Sequence, residues 1–196
     1  ILMELPTHNY FLWGPYLTKM KVEETLCEKL LTHGRELRTS HRNHLAGKID
    51  KEFSYDNLKY YQKQFQPYID SWIHGWYRQL GSHVAVKGKL VSLWINFQKA
   101  KEHNPPHIHP GADVSFALHL NAPLEMIGEK QDTTGIAPGR LSFLYGEERP
   151  HTIAERSFTP EKNVMLMFPA NLRHYVASFN SDVERISVAG NIKFEH

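Results

Sequence analysis

The chain has 196 residues, 41% of them hydrophobic and 22% charged, with a formal net charge of +2. Those values suit a single domain over 1–196 with a real core, and they exclude a disordered chain or a charged nucleic-acid arm. The longest apolar runs, "LVSLWINF" and "VMLMFPA", fall far short of the roughly 20 residues that a membrane-crossing helix needs.

The single cysteine, Cys27, excludes an intrachain disulfide and a cysteine-built metal cluster. "ILMELPTHNYFLW" has no basic stretch followed by a sustained apolar one, so a reducing, cytoplasmic setting is expected. The unusual feature is a content of 13 histidines.

In chain order, residues 1–82 read as a helical part. Val22, Leu26, Leu30, Leu31 and Leu37 recur at helical spacing. A second set follows: Leu58, Tyr61, Phe65, Ile69, Trp72, Ile73, Trp76 and Leu80. Asp56 is placed to cap its start, Gly81 to end it, and Pro67 to kink or break it. The segment "SHRNHLAGKIDKEFSYD" between the helices reads as loop.

From residue 83 onward the pattern changes to short strands separated by Gly, Pro, Asn and Asp, expected at 83–87, 90–98, 114–120, 140–145, 164–168, 174–179 and 185–193. Helices first and strands afterwards give an α+β chain, mainly β. The architecture expected is a jelly-roll barrel over 83–196 with the N-terminal helices packed on one sheet. In "LVSLWINFQ", Val91, Leu93, Ile95 and Phe97 form one face for packing under helices. Trp94, Asn96 and Gln98 form the other, suited to lining a pocket.

"HNPPHIHPGAD" carries the chemistry. His107 and His109 are two apart in an extended segment and aim the same way, and the flanking prolines stiffen it. Neutral imidazole suits Fe(II), Zn, Cu and Ni, and a pair needs a third ligand. His174, in "MLMFPANLRHYVASF", opens another strand that an antiparallel barrel can bring alongside. In "RISVAGNI", Arg185, Ser187 and Asn191 share a face, with Ile186, Val188 and Ile192 opposite. An arginine beside a hydroxyl on a pocket face can grip a carboxylate. A surface arginine paired with Glu184 or Asp182 would produce the same strand.

The ordered set "INFQKAKEHNPPHIH…HL…FPANLRHYV…RIS" resembles the Fe(II)/2-oxoglutarate-dependent dioxygenases, in particular a branch common in marine phage genomes. The resemblance spans roughly residues 90–193 and implies a double-stranded β-helix. Carried over by position, His107 matches the first metal ligand and His174 the distal one. Arg185, eleven residues after His174, matches the binder of the 2-oxoglutarate carboxylate, with Ser187 completing an Arg-x-Ser arrangement. Asn96, on the pocket face, is placed with these cosubstrate residues.

The resemblance implies Fe(II), 2-oxoglutarate and O2. The implied outcome is hydroxylation with release of succinate and CO2. The chain departs from the family where a carboxylate is usual and His109 stands instead. Asp113 is the alternative third ligand. The shared face of His107 and His109 favours His109, with Asp113 capping the Pro-Gly turn.

The spacing His-x-His-x3-Asp also resembles the cupins, so a metalloenzyme independent of 2-oxoglutarate is a second reading, and a non-catalytic binding barrel a third. His119 reads as a wall residue or a local hydrogen-bond partner, and His41, His44 and His103 as solvated loop residues. No motif in the loops 41–55, 121–139 and 146–162 identifies a substrate, and no basic groove points to nucleic acid.

Overall fold

The computed structural model describes residues 14–42, 47–81, 86–129 and 137–195. Among the described residues, ten strands form two antiparallel sheets. The strands are β1 (Thr18–Lys21), β2 (Lys51–Ser54), β3 (Lys87–Gln98), β4 (Asn104–His107) and β5 (Val114–Asn121). After them come β6 (Leu141–Leu144), β7 (Glu155–Phe158), β8 (Val164–Pro169), β9 (Arg173–Val176) and β10 (Arg185–Glu195). The larger sheet has the order β1-β8-β5-β10-β3-β2 and the smaller β4-β9-β6-β7. This is the jelly-roll arrangement expected from the sequence.

Two helices, α1 (Glu24–Glu36) and α2 (Leu58–Gln79), cover one face of the large sheet; a single turn, α3 (Leu124–Ile127), follows β5. Leu26, Leu30, Phe65, Ile69 and Ile73 pack with Leu93, Ile95, Ile186 and Val188 in the main core. Burial of such side chains contributes about 1.5–3 kcal/mol each, which offsets the entropy of ordering two helices against the sheet. A second cluster, Leu141, Phe143, Leu166, Phe168, Leu172 and Val176, fills the space between the sheets. No described helix is long and apolar enough to cross a membrane.

Several expectations are corrected. The segment read as loop contains β2, and β1 also precedes α1, so the first 82 residues contribute both edge strands of the large sheet. β2 is an edge strand of four residues, too short to alternate visibly.

Helix α2 runs through Pro67 without a break. Pro67 is exposed while Phe65 and Ile69 are buried on either side of it, so the carbonyl that loses its partner faces water and the core holds both halves together. Its cap is Asn57, whose side chain accepts the Tyr60 N–H, and not Asp56. Gly81 ends the helix as expected, at φ +64°.

Val91 is 42% exposed and lies outside the core, because the β3–β10 register shifts there: Asn191 pairs with Ser92 and Ile192 with Leu90. The extra residue reverses the alternation, so Leu90 takes the inward place. Strands β4 and β7 lie in segments where none was expected. β4 reads "NPPH", and its ladder skips the two prolines, pairing only Asn104 with Val176 and His107 with His174. The strand expected at 83–87 lies mostly outside the described residues; β3 runs unbroken from Lys87.

Candidate metal centre

The β4–β9 pairing sets His107 directly opposite His174, and His109 follows just past the end of β4. His109 is held by its own N–H, which donates to the Ala170 carbonyl at 2.9 Å. The ligating atoms of His107, His109 and His174 all lie within 4.8 Å of one another. Nε2 of His109 is 3.2 Å from Nε2 of His174.

Each paired histidine has its tautomer fixed by the main chain. His107 Nδ1–H donates to the Pro105 carbonyl at 2.7 Å, and His174 Nδ1–H donates to the Leu172 carbonyl at 2.8 Å. A carbonyl only accepts, so the proton sits on Nδ1 and the Nε2 lone pair points at the centre. For His109, moving the proton to Nδ1 frees the third nitrogen.

Burial lowers the pKa of all three rings. It brings His174 to about 3, aided by the His107 charge, and His109 to about 4, aided by His107 and His41. For His107, burial outweighs the opposing bond to Pro105. The imidazoles are therefore neutral at physiological pH, the form that binds a metal. In tautomer, charge and convergence, these residues fit a first-row divalent ion.

Asp113 is not in this cluster. Its Oδ2 accepts the Phe194 N–H at 2.7 Å, and the Lys193 ammonium lies 3.8 Å away, so it caps the end of β10.

A second group of side chains faces the same cavity from the large sheet. Arg185 is paired in register with Gln98, and Ser187 with Asn96 on one side and His119 on the other. Arg185 donates to Gln98 Oε1 at 3.2 Å and Ser187 Oγ at 3.4 Å, and its Nη2 lies 3.3 Å from His119 Nδ1. Arg185 is 2% exposed, so it is not a surface arginine paired with Glu184 or Asp182.

Burial alone lowers the Arg185 pKa, to about 10, with no described carboxylate compensating the charge. Its Nε and the Nε2 of His119 are buried without a hydrogen-bond partner among the described residues. A buried cation without a counter-charge is expensive, and a bound carboxylate supplies what is missing. Burial and the Arg185 charge hold the His119 pKa well below its usual value. Asn96 is 5% exposed, and its Nδ2 lies 3.4 Å from Ser187 Oγ. Asn96, Arg185 and Ser187 line one cavity with His107, His109 and His174, walled by Phe116, Leu141, Phe168 and Val176.

Two residues of this neighbourhood are not evident in the sequence. His41, expected as a solvated loop residue, stacks on Trp94 at 4.7 Å and bonds Ser54 Oγ at 2.7 Å; Trp94 in turn lies 5.7 Å from the His109 ring. Glu52 is 1% exposed, opposite Asn96. The alternation of Glu52 with Phe53 carries the signal, but a four-residue strand is too short to reveal it. His103 is half-buried and its carbonyl accepts the Lys48 N–H, while His44 lies outside the described residues.

Residues 92–191, just over half of the chain, match the family described as "Putative 2OG-Fe(II) oxygenase". No curated protein sequence matches the chain. Among solved structures, the chain is similar to a Pseudomonas putida prolyl-4-hydroxylase (TM-score 0.58, 15% identity, covering 93% of this chain and 94% of that one). It is also similar to a viral collagen prolyl hydroxylase from Paramecium Bursaria Chlorella virus-1, solved as a 2OG complex (TM-score 0.57, 13% identity, 91% and 96% covered). A third likeness is to SnoN, a non-heme alpha ketoglutarate dependent epimerase from nogalamycin biosynthesis (TM-score 0.60, 13% identity, 91% and 78% covered). At these identities the likenesses carry the fold.

Proposed function

The chain belongs to the 2OG-Fe(II) oxygenase family, and from that premise we propose that it hydroxylates an aliphatic C–H bond of a small molecule or a protein side chain. Succinate and CO2 are the coproducts. Family membership sets aside the cupin and non-catalytic readings. In this proposal His107, His109 and His174 hold Fe(II), and Arg185 and Ser187 hold 2-oxoglutarate, with Asn96 steadying Ser187 through its Nδ2 and leaving its Oδ1 free of the anion. Bound Fe(II) supplies the activation of O2, coupled to oxidative decarboxylation of 2-oxoglutarate.

The observation that carries the proposal is the juxtaposition of two incomplete groups in one cavity: three neutral imidazoles converging on a point, and a buried guanidinium without a counter-anion. Each lacks what the other's ligand provides. Three neutral histidines leave the charge of a divalent cation uncompensated, and Arg185 adds another positive charge. A dicarboxylate that reaches both neutralises most of it. The substitution of His109 for the usual carboxylate thus strengthens the attraction for the dianionic cosubstrate.

The remaining residues have supporting roles. The Pro105 and Leu172 carbonyls keep two imidazoles in the ligating tautomer. Gln98, whose Nε2 donates to the Glu102 carbonyl at 2.8 Å, turns its Oε1 to the guanidinium and fixes its plane. Phe116, Leu141, Phe168 and Val176 exclude water, which strengthens the charge interactions inside. The reading also takes 1–196 as one domain, supported by the contribution of β1 and β2 to the large sheet. A cytoplasmic setting is supported by the buried free thiol of Cys27.

The test is turnover of 2-oxoglutarate by the Fe(II)-loaded chain under O2. Succinate should appear in step with 2-oxoglutarate loss, and His174→Ala should abolish it. Succinate formation unchanged in His174→Ala would refute the assignment.

A further inference from the structure

The cavity has two chemically opposite sides. Register partners place His119, Ser187, Asn96 and Glu52 in one row across β5, β10, β3 and β2, all of them buried. The β10 end of the row presents donors: the Arg185 guanidinium and the Ser187 hydroxyl. The β2 end presents only acceptors. Asn96 Oδ1, Asn104 Oδ1 and both carboxylate oxygens of Glu52 are buried and have no hydrogen-bond partner among the described residues. The Asn96 amide is oriented by the Ser187 carbonyl, which takes its Nδ2–H at 3.5 Å, so the orphaned atom is the oxygen.

Asn96 and Asn104 line the cavity, and so does Ile49, three residues before Glu52. Glu52 is not itself a lining residue; it stands directly behind the rim, paired with Asn96 on the next strand, so its side chain leaves the sheet on the same face.

The charges around Glu52 do not complete it. Arg42 draws its pKa down from a distance, but that guanidinium is half in solvent, 3.6 Å from Asp50. Glu102 acts in the opposite sense, and its own oxygens are taken by the Asp50 and Lys99 N–H groups at 3.0 and 2.7 Å. A buried carboxylate with no donor opposes folding, and folds keep such groups where a ligand completes them.

We propose that Glu52, with the carbonyl oxygens of Asn96 and Asn104, is the substrate-recognition wall of this cavity, and that it receives a protonated amine of the substrate. The carboxylate that Glu52 becomes when a cation docks beside it, together with the surrounding acceptors, matches an ammonium, which brings one positive charge and three N–H groups. The 2-oxoglutarate anion occupies the donor side and the substrate cation the acceptor side, so each ligand is excluded from the other's place. This inference rests on the oxygenase reading, which puts the substrate in this cavity.

The test uses the full chain loaded with Zn(II) and 2-oxoglutarate, and three short-chain probes: n-butylammonium, neutral 1-pentanol and pentanoate. Ligand-observed NMR gives the affinities for wild type and Glu52→Gln. Wild type should bind n-butylammonium about tenfold or more tightly than 1-pentanol, and pentanoate least. Glu52→Gln should lose that preference while its affinity for 1-pentanol stays the same. It should melt no lower than wild type, since no contact is removed. Asn104→Leu, which deletes another orphaned acceptor, should weaken n-butylammonium by a smaller factor.

Equal n-butylammonium affinity in wild type and Glu52→Gln, or no binding of that probe to wild type, would overturn the proposal. A Glu52→Gln melting temperature clearly below that of wild type would overturn it too, by showing a structural role. Zn(II) and 2-oxoglutarate contents measured in the same samples report on the oxygenase site separately. If wild type fails to load them, it is that reading which fails.

Discussion

His107 and His174 face each other across the β4–β9 pair with ring centroids 4.3 Å apart, and each gives its Nδ1 proton to the main-chain carbonyl two residues before it. Because backbone orients both rings, no side-chain partner has to be in place first. Loss of either ring should therefore remove the ion and leave the fold. His107→Ala and His174→Ala are expected to contain no detectable Fe or Zn by elemental analysis while keeping the circular dichroism spectrum of wild type. Stoichiometric metal in either variant would count against the triad.

Asp113 is a structural residue in this account. Its carboxylate satisfies the Phe194 N–H at the end of β10, and its own main-chain N–H and carbonyl tie to Ile192 and Ala170. Asp113→Ala should destabilise the protein by about 1–3 kcal/mol, the cost of a lost charged acceptor. Chemical denaturation measures this. A variant as stable as wild type would show that the bond contributes nothing.

Arg185 should govern the cosubstrate and not the metal. Arg185→Ala is expected to keep Fe(II) and to bind 2-oxoglutarate weaker by about 2–5 kcal/mol, the range for truncating one partner of a buried charge pair. Arg185→Lys should restore part of that loss, because an ammonium cannot reproduce the planar fork. Calorimetric titration of 2-oxoglutarate into the Zn(II)-loaded variants gives the comparison. Unchanged affinity in Arg185→Ala would move the carboxylate site elsewhere.

Glu52 predicts a pH signature in stability. Burial is the main cause that raises its pKa, to about 7; the charge of Glu102 adds to the rise and Arg42 opposes it. The folded state then holds a proton that the unfolded chain, with an ordinary carboxyl, has released. Folding is penalised above the folded pKa, and the penalty is relieved as pH falls through it toward the ordinary value. The melting advantage of Glu52→Gln over wild type should consequently grow from about pH 5 to about pH 8. A difference that stays constant over that window would mean that Glu52 is not held in this environment.

The barrel and the convergence of His107, His109 and His174 were legible because their signals are local. Strict alternation in "RISV" places Arg185 and Ser187 on one face, and a two-residue spacing in "HIH" does the same for the histidines. What stayed hidden depends on tertiary context. The short β2 has no periodicity of its own, and it acquires meaning only beside β3, where Glu52 meets Asn96. The bulge at Val91 cannot be read from a run of apolar residues, and Pro67 sits in α2 because the buried faces around it hold the helix straight. His41 reaches the site through Trp94, a stacking that no spacing announces.

The central claim is that His109 takes the place of the family's usual carboxylate in holding the iron. Anaerobic titration of Fe(II) into wild type, His109→Ala, His109→Asp and Asp113→Ala tests it most directly, with bound iron counted per chain. The account predicts one ion in wild type, His109→Asp and Asp113→Ala, and none detectable in His109→Ala. Iron retained by His109→Ala and lost by Asp113→Ala would contradict it.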